Sequence, residues 1–554
     1  MKKYFSIFSA FAALAVSFFI FPPAAVADTL GQTVQINVNE TYDQSGRKNL
    51  SATLRAISAH AYFYVEDQYW NSLNSPTRAA LTEALLILAQ DFEQHVYAKE
   101  VQLWGSEPNP GVDNDPRITV LLHDLKAGNG GYFDSIHGFP KTIFSDSNER
   151  EMFVISIEAL GATIAKSFMS HEFQHLISFN QKELVRKTSE EVWLNELRSE
   201  YAISVSGFNI PFSGSSLENR IRTFLDSPTD SLTEWANARS DYAQVALFGQ
   251  YLIEQFGPAI LSETLQSANW GIDSINKWLI SRGLPERFVD LFRNWAIANY
   301  LNDTARDGRY GYQLEGLKSF RITPQALTIS YPNEQAIFHS AKPWQATWQR
   351  YNFLNLPADK AVKIEVAGDP LFSVAYVADD GRVGTFQPGA NYLFNPGALR
   401  SVVLIPINQS ISSGFGSNDP SATVSIKVSF LDNAAMPGQI KDGALIKRPH
   451  EAPIYVVEGK YKRYLSQEVI KLYGHLDASK AIPVDDRTFN SYMSSNYIRP
   501  VNDKKVYAVW PDGTKHWLNM PAATFTSSGR DWNSIFIVNE LETNFYRTGP
   551  DIKQ

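Results

Sequence analysis

The chain has 554 residues, 44% of them hydrophobic and 13% aromatic, which excludes a disordered protein and predicts three or four domains of roughly 150 residues each. It contains no cysteine, which excludes disulfides, thiolate metal sites and a cysteine nucleophile. Its net charge of -8 argues against a nucleic-acid binder, which normally carries a basic patch.

Residues 1–27 have the layout of a secretory signal peptide. Two lysines precede an apolar run from Tyr4 to Phe21, and Ala25-Val26-Ala27 supplies the small residues needed for cleavage after Ala27. The alternative is an uncleaved membrane anchor, which the intervening Pro22-Pro23 disfavours. We therefore expect a secreted protein, extracellular, at the cell surface or periplasmic, with no membrane association after cleavage.

Residues 28–160 are predicted to form the first part of a mixed domain from strands and one helix. A strand-like run lies within 51–70, and the segment 76–98 has proline at its start and apolar residues at helical spacing. Buried strands are predicted at 117–122 and 152–157, where β-branched and aromatic residues cluster.

Helices are predicted to dominate residues 161–325, and strands to dominate the region that follows. Within 423–430, apolar and polar residues alternate with the period of a strand that has one buried face. Asp379-Asp380-Gly381 is typical of a hairpin turn. We predict a β-sandwich over residues 335–432.

The end of the chain contains a repeat with a period of about 53 residues. IYVVEGKYKRYLS, from Ile454, is similar to VYAVWPDGTKHWLN, from Val506. We predict two small β-rich repeats, residues 445–499 and 500–554. Their aromatic and basic residues could bind a cell-wall or surface polymer, and the alternative is that they form the cores of the repeats.

Two of the ten histidines lie four residues apart in the segment SFMSHEFQHLISFN, residues 167–180. In a helix, His171 and His175 lie on one face and can reach the same ion, while Glu172 lies beside it. This His-Glu-x-x-His pattern predicts half of a zinc site on a helix. The alternative is an exposed helix without a metal.

A zinc hydrolase of this type needs a third protein ligand and an open position. Glu196 lies 21 residues after His175 in an amphipathic segment, and the neighbouring Trp193-Leu194 would make an unpaired carboxylate costly. We predict Glu196 as the third ligand. One helical turn later, Glu200 could accept a hydrogen bond from a ligand histidine or compete with Glu196 for the metal. The alternative is a solvated acidic face.

The sequence around these residues resembles the glutamate-ligand zinc metallopeptidases, the thermolysin-like gluzincins. It is most similar to the hyicolysin family of secreted bacterial metallopeptidases, over roughly residues 50–300. The resemblance rests on GGYF at 130–133, SNEREMF at 147–153, SHEFQH at 170–175 and WLNE at 193–196. Leu197-Arg198 departs from the glycine that many gluzincins have after the ligand glutamate, which could alter the floor of the cleft.

The resemblance implies an α+β architecture. A thermolysin-like zinc peptidase domain would combine a mixed sheet, an active-site helix and a helical subdomain, and would precede the sandwich and the repeats. By analogy with the family, the loop 128–133 and the strand 152–157 would form a cleft edge along which a substrate backbone pairs. The alternative is a connecting hairpin whose glycines serve only the turn.

The resemblance also implies a secreted endopeptidase that cleaves proteins or peptides with one Zn²⁺ per chain. His171, His175 and Glu196 would bind the zinc, and Glu172 would be general base and then general acid for a zinc-activated water. In related proteins a tyrosine or histidine donates a hydrogen bond to the oxyanion, and the resemblance assigns this role to Tyr242. The alternative is that Tyr242 is only a packing residue.

Two other functions remain open at this point. One is a catalytically inactive cell-surface or cell-wall binding protein that uses the repeats, although the complete set of metal-site residues argues against it. The other is an aminopeptidase, which would need an acidic anchor for the substrate's amino group. Ca²⁺ is a further candidate at Asp113-Asn114-Asp115, where an ordinary polar turn is the favoured interpretation.

Overall fold

The computed structural model describes residues 27–357, 360–389, 391–394, 399–410, 414, 421–432, 440 and 442–553. Several sheets and many helices make up this part of the chain, and this confirms the predicted α+β class. Apart from Ala27, the predicted signal peptide lies outside the described residues. Among the described residues, none of the helices has the length and apolar character that a membrane span requires.

Six strands near the N-terminus form one mixed sheet, in the order β1-β2-β3-β4-β6-β5. They are β1 Thr33–Asn37, β2 Asn49–Ile57, β3 Ala61–Glu66, β4 Ile118–His123, β5 Gly131–Tyr132 and β6 Met152–Ser156. The neighbours β3, β4 and β6 run parallel and are buried along their whole length, as parallel strands usually are. The prediction that the strand at 152–157 forms a cleft edge was wrong, because β6 is paired on both sides and β5 is the edge strand.

Ten helices accompany this sheet in the described part of the chain. They are α1 Asp67–Ser72, α2 Ser75–Asp91, α3 Ala98–Trp104, α4 Ile164–Phe179, α5 Val192–Ser206, α6 Ser216–Asp226, α7 Arg239–Phe256, α8 Ala259–Leu265, α9 Gly271–Ser281 and α10 Phe288–Leu301. The Asn74 side chain caps α2, where it accepts from Thr77 N. The predicted helix at 76–98 is longer than expected, because a π-helical turn, Phe92–Tyr97, joins α2 to α3. One large hydrophobic core joins the sheet to these helices.

In the part of the chain that the structure describes, nine strands after the helices form two sheets that share a hydrophobic core. They are β7 Gln325–Ser330, β8 Gln335–Ala341, β9 Gln349–Leu354, β10 Lys360–Gly368, β11 Phe372–Ala378, β12 Val383–Phe386, β13 Asn391–Phe394, β14 Ser401–Asn408 and β15 Ala422–Asp432. The sheet orders are β13-β10-β15-β8 and β12-β11-β14-β9-β7. The alternation predicted within β15 holds for Val424, Ile426 and Val428, which are buried. It fails at the end of the predicted segment, where Ser429 is buried and Phe430 is partly exposed. Because β7 pairs with β9, this pair of sheets begins before residue 335, where the β-sandwich was predicted to start.

The second of these sheets packs directly on the helices through residues such as Val377 and Ile405, and the connection between β8 and β9 packs there as well. Trp344 contacts Phe288 with ring centroids 4.6 Å apart, and Trp348 Nε1 donates to the Ala296 carbonyl at 2.9 Å. Both tryptophans belong to the same core as the helices. The strands after residue 325 therefore extend the hydrophobic core of the preceding region.

Among the described residues after 440, two five-stranded sheets repeat the same topology. The first contains β16 Leu445–Lys447, β17 Ile454–Glu458, β18 Tyr461–Leu465, β19 Ile482–Pro483 and β20 Met493–Ser494, with helices α11 Gln467–Ile470 and α12 Asp486–Ser491. The second contains β21 Tyr497–Pro500, β22 Tyr507–Val509, β23 Thr514–Trp517, β24 Phe536–Val538 and β25 Arg547–Thr548, with helices α13 Ala522–Ser527 and α14 Glu540–Phe545. Their orders, β19-β16-β17-β18-β20 and β24-β21-β22-β23-β25, correspond strand for strand. Because β21 belongs to the second sheet, it crosses the predicted boundary between residues 499 and 500.

Most large aromatic side chains of these two units pack in their cores. Tyr461, Tyr497 and Trp510 are buried, whereas Trp532 and Phe545 are about half exposed, at 48% and 46%. Arg530 of the second unit forms an ion pair with Asp303, which follows α10, at a distance of 3.1 Å. Packing therefore accounts for the buried rings, and polymer binding by the exposed ones stays a prediction.

Candidate metal centre

Helix α4 carries His171, Glu172 and His175 through the interior of the protein. From Met169 to Phe179 every residue is buried, since one face packs on the sheet and another on α5. Phe173 and Met169 belong to the large core, so their face of the helix fixes its rotation. This rotation directs both histidines towards a cleft.

The second helix, α5, brings Glu196 to the same point. His171 Nε2 lies 3.1 Å from Glu196 Oε2 and 3.2 Å from His175 Nε2, and His175 Nε2 lies 3.6 Å from Glu196 Oε2. Three tetrahedral ligands at about 2.0–2.2 Å from one ion lie about 3.3–3.6 Å from one another. A group of at least three His, Cys, Asp or Glu side chains that lie close enough together could hold a metal ion. Among the described residues, His171, His175 and Glu196 form the one such group.

The charges around Glu196 also suit a cation. Burial disfavours its ionised form, but the adjacent His175 and His171 outweigh that effect and keep the pKa of Glu196 well below its usual value. Its carboxylate is therefore ionised, and the donor set of two imidazoles and one carboxylate fits Zn²⁺.

Glu200 lies behind His171, on the side away from Glu196. Its Oε1 is 3.5 Å from His171 Nδ1, and both carboxylate oxygens accept from Arg220 of α6, at 2.7 and 3.0 Å. Arg220 thus neutralises Glu200, while Glu200 faces the ring nitrogen of His171 that points away from the other two donors. Arg220 could not be predicted from the sequence, because no local pattern links α6 to the two ligand-bearing helices.

Glu172 is buried beside the three donors, and its Oε2 has no hydrogen-bond partner among the described residues. Burial raises the pKa of Glu172 to about 8, an effect that His175 opposes and that Glu196 and Glu200 reinforce. The carboxyl group therefore holds a proton more tightly than an exposed glutamate does.

The glycine-rich loop gives the edge strand β5 close access to Glu172. A Cβ atom on Gly131 would lie 2.6 Å from the Val154 carbonyl oxygen and 2.9 Å from Glu172 Oε1, and one on Gly130 would collide with the Phe168 ring. These two glycines thus serve close approach to α4 as well as the turn.

A cavity of about 650 Å³ opens above the three donors. The loop 128–133 lines one side, and residues of α5, α6 and the start of α7 line the other. Because β5 is an edge strand, the cavity runs along an unpaired strand edge. This shape suits an extended chain with backbone groups available for pairing.

Two tyrosines line opposite sides of this cavity. Tyr242, in the first turn of α7, donates to Asn237 Oδ1 at 2.9 Å and packs near His171, with ring centroids 6.3 Å apart. Arg220 lies over its ring at 4.7 Å. From the sheet side, Tyr42 stacks on Tyr132 at 4.7 Å, a contribution of the N-terminal segment that sequence analysis missed.

The side chains of Leu197 and Arg198 point away from the cleft. Leu197 packs against Gly249 of α7, while Arg198 pairs with Glu190 at 2.7 Å and donates to Thr264. The expectation that these residues alter the floor of the cleft was wrong. The side chain of Glu190 is only 4% exposed and lies between Arg198 and Lys182, so this segment is not a solvated acidic face.

The carboxylates of Asp113 and Asp115 form hydrogen bonds within their own turn. Asp113 Oδ1 accepts from Asp115 N at 2.9 Å, and Asp115 Oδ1 accepts from Arg117 N at 2.9 Å. Tyr62 donates to the remaining oxygen of Asp115 at 2.8 Å. This arrangement is that of an ordinary Asx-type turn.

An α+β chain that converges two histidines and a glutamate in a cleft has the donor set of a zinc hydrolase. The chain is similar to the neutral metalloprotease ShpI of Staphylococcus hyicus, with 24% identity over 312 residues. The match covers 50% of this chain and 65% of that relative. No protein-family model matches the chain.

Two of the solved structures that match the chain add nothing to this similarity. Periplasmic inhibitors of g-type lysozyme from Aeromonas hydrophila and Salmonella Typhimurium each align over their whole length with 20% of this chain. Their identities are 9% and 8%, and their TM-scores are 0.15 and 0.14. Scores of this size do not establish a shared fold.

Proposed function

We propose that the protein is a zinc-dependent metalloendopeptidase. The observation that carries this proposal is the convergence of His171, His175 and Glu196 at distances of 3.1 to 3.6 Å, beside the buried carboxyl group of Glu172. The similarity to a neutral metalloprotease over half of the chain supports the same class of activity. When bound, zinc would supply a Lewis acid that lowers the pKa of a water molecule and polarises the scissile carbonyl.

Glu172 is assigned the proton transfers. In this proposal its carboxylate takes the proton of the attacking water and then delivers it to the leaving amine. Burial makes this carboxylate a stronger base than an exposed one, and a zinc ion bound beside it would favour the ionised form that the first step needs. Gly131 leaves the space in which that carboxylate can face a substrate.

Tyr242 and Arg220 are assigned to the substrate carbonyl. Both side chains line the cavity on the side opposite β5, and both can donate a hydrogen bond. A donor placed there stabilises the negative charge that develops on the carbonyl oxygen. The Tyr242 hydroxyl would exchange its hydrogen bond with Asn237 for one with the substrate.

The edge strand β5 is assigned the substrate backbone. Residues 128–133 line the cavity, and an extended peptide beside β5 would pair as an added strand. This supports cleavage of internal bonds of unfolded protein or peptide segments. The further identification as a secreted hyicolysin-type enzyme with a thermolysin-like catalytic domain rests on the sequence resemblance and on the predicted signal peptide.

The proposal is tested by comparing the wild type with Glu172→Gln, without residues 1–27. Both proteins should contain about one zinc per chain, and only the wild type should cleave internal bonds of casein. A wild type that binds zinc but cleaves only N-terminal residues would favour an aminopeptidase. A variant with wild-type activity would disprove the role of Glu172.

A further inference from the structure

The second ring nitrogen of His175 is held by a chain of uncharged side chains. His175 Nδ1 lies 3.2 Å from Ser199 Oγ, and Ser199 Oγ lies 2.6 Å from Gln174 Oε1. Gln174 Nε2 donates in turn to Ser178 Oγ at 2.8 Å. All four residues are buried, so water does not compete for these bonds.

The order of donors in this chain fixes the position of one proton. Gln174 uses its amide hydrogens towards Ser178, so its oxygen faces Ser199 and can only accept. Ser199 has one hydroxyl hydrogen, and the short bond to Gln174 takes it in preference to the Asn195 carbonyl at 3.3 Å. The Ser199 oxygen is then left to accept from His175 Nδ1.

We propose that Ser199 and Gln174 are positioning residues that keep His175 protonated at Nδ1 and leave Nε2 as the metal donor. The inference rests on the proposed zinc site and extends it to two residues outside the His-Glu-x-x-His and glutamate ligands. If Ser199 instead donated to Nδ1, the proton of neutral His175 would sit on Nε2 and block the metal. Gln174 prevents this by occupying the hydroxyl hydrogen.

The two histidines are therefore oriented by different chemistry. His171 faces the charged Glu200, which Arg220 neutralises, whereas His175 faces a neutral hydroxyl. A hydroxyl can donate or accept, so the tautomer of His175 depends on the group beyond it. This dependence gives Gln174 a role that packing alone would not give it.

Substitutions of Gln174 separate this role from simple packing. Gln174→Glu keeps an acceptor for Ser199, while Gln174→Met keeps the length of the side chain and removes the acceptor. We expect Gln174→Glu to leave the zinc Kd within about threefold of wild type and Gln174→Met to raise it more than about threefold. A packing role predicts the opposite order, because the buried site would tolerate methionine better than a carboxyl group.

The measurement is zinc affinity by competition with a chelator, using the full mature chain near neutral pH. Ser199→Ala should raise the zinc Kd about 10- to 100-fold, the usual effect of removing a partner of a ligand histidine. The matched control is Ser204→Ala on the same helix, whose hydroxyl accepts from Asn209 and should not affect zinc. Unfolding midpoints of the zinc-free proteins identify any variant that fails to fold, in which case the Gln174 pair decides.

The outcomes distinguish this inference from the proposed function. A wild type that binds no zinc would overturn both. A wild type that binds zinc while Ser199→Ala stays within about threefold of it would overturn the inference alone. Weaker zinc binding by Gln174→Glu than by Gln174→Met would also overturn it.

Discussion

Glu100 of α3 is a buried carboxyl group that links the two ligand-bearing helices. Its Oε1 accepts from Ser170 Oγ of α4 at 2.6 Å and from Ser206 Oγ of α5 at 3.0 Å, while Oε2 has no partner among the described residues. Burial raises the pKa of Glu100 from 4.5 to about 8, although both serines oppose the shift. We predict that Glu100 is protonated at neutral pH and that Glu100→Gln preserves the fold.

The raised pKa makes the free energy of unfolding depend on pH. Because the folded pKa lies above the unfolded value, the contribution of Glu100 is fully present below about pH 4.5 and is lost as the pH rises through about 8. The difference between these pKa values, at about 1.4 kcal/mol per unit, corresponds to roughly 5 kcal/mol at full ionisation. Glutamine does not ionise, so the variant avoids this loss.

Urea unfolding of wild type and Glu100→Gln at about pH 5 and about pH 9 tests this prediction. The free energies of unfolding should agree within about 1 kcal/mol at the lower pH, and the variant should be more stable by several kcal/mol at the higher pH. Other titrating groups are common to both proteins and largely cancel in the difference. A difference that is the same at both pH values would refute the neutral state of Glu100.

Three further experiments test the site. Glu196→Gln should weaken zinc retention during dialysis more than Glu200→Gln does, since the first removes a ligand and the second a partner of His171; the reverse order would exchange their roles. Tyr242→Phe should lower kcat about 10- to 1,000-fold with zinc content unchanged, and an unchanged kcat would leave Tyr242 a packing residue. Gly131→Ala should reduce peptidase activity, because the added Cβ would collide with Glu172 and Val154. The control Gly474→Ala should keep its activity, since a Cβ there meets no atom within 4 Å. Equal activities of the two variants would contradict the close approach of Gly131 to Glu172.

The parts of the site that sequence analysis predicted depend on spacing within a single helix. His171 and His175 lie one turn apart on α4, and Glu196 and Glu200 lie one turn apart on α5, so helical periodicity alone places each pair on one face. The alternation within β15 was predictable for the same reason. Local periodicity therefore predicts which side chains share a face.

Contacts between distant segments could not be predicted in this way. Arg220 reaches Glu200 from a separate helix, and Tyr42 reaches the cavity from a loop before β2. Whether β5 or β6 forms the edge depends on pairing with β4, which the sequence of β6 does not reveal. The predicted boundary between the terminal repeats was wrong for a similar reason. β21 belongs to the second repeat because it pairs with β22 and β24, and its own sequence does not show this.

The three converging donors of α4 and α5 carry the central claim, and anomalous diffraction at the zinc absorption edge tests it most directly. Crystals of the purified mature chain should show one peak about 2.0–2.2 Å from the Nε2 atoms of His171 and His175 and from a carboxylate oxygen of Glu196. The absence of a peak in zinc-supplemented crystals, or a peak bound by the histidines without Glu196, would contradict the account.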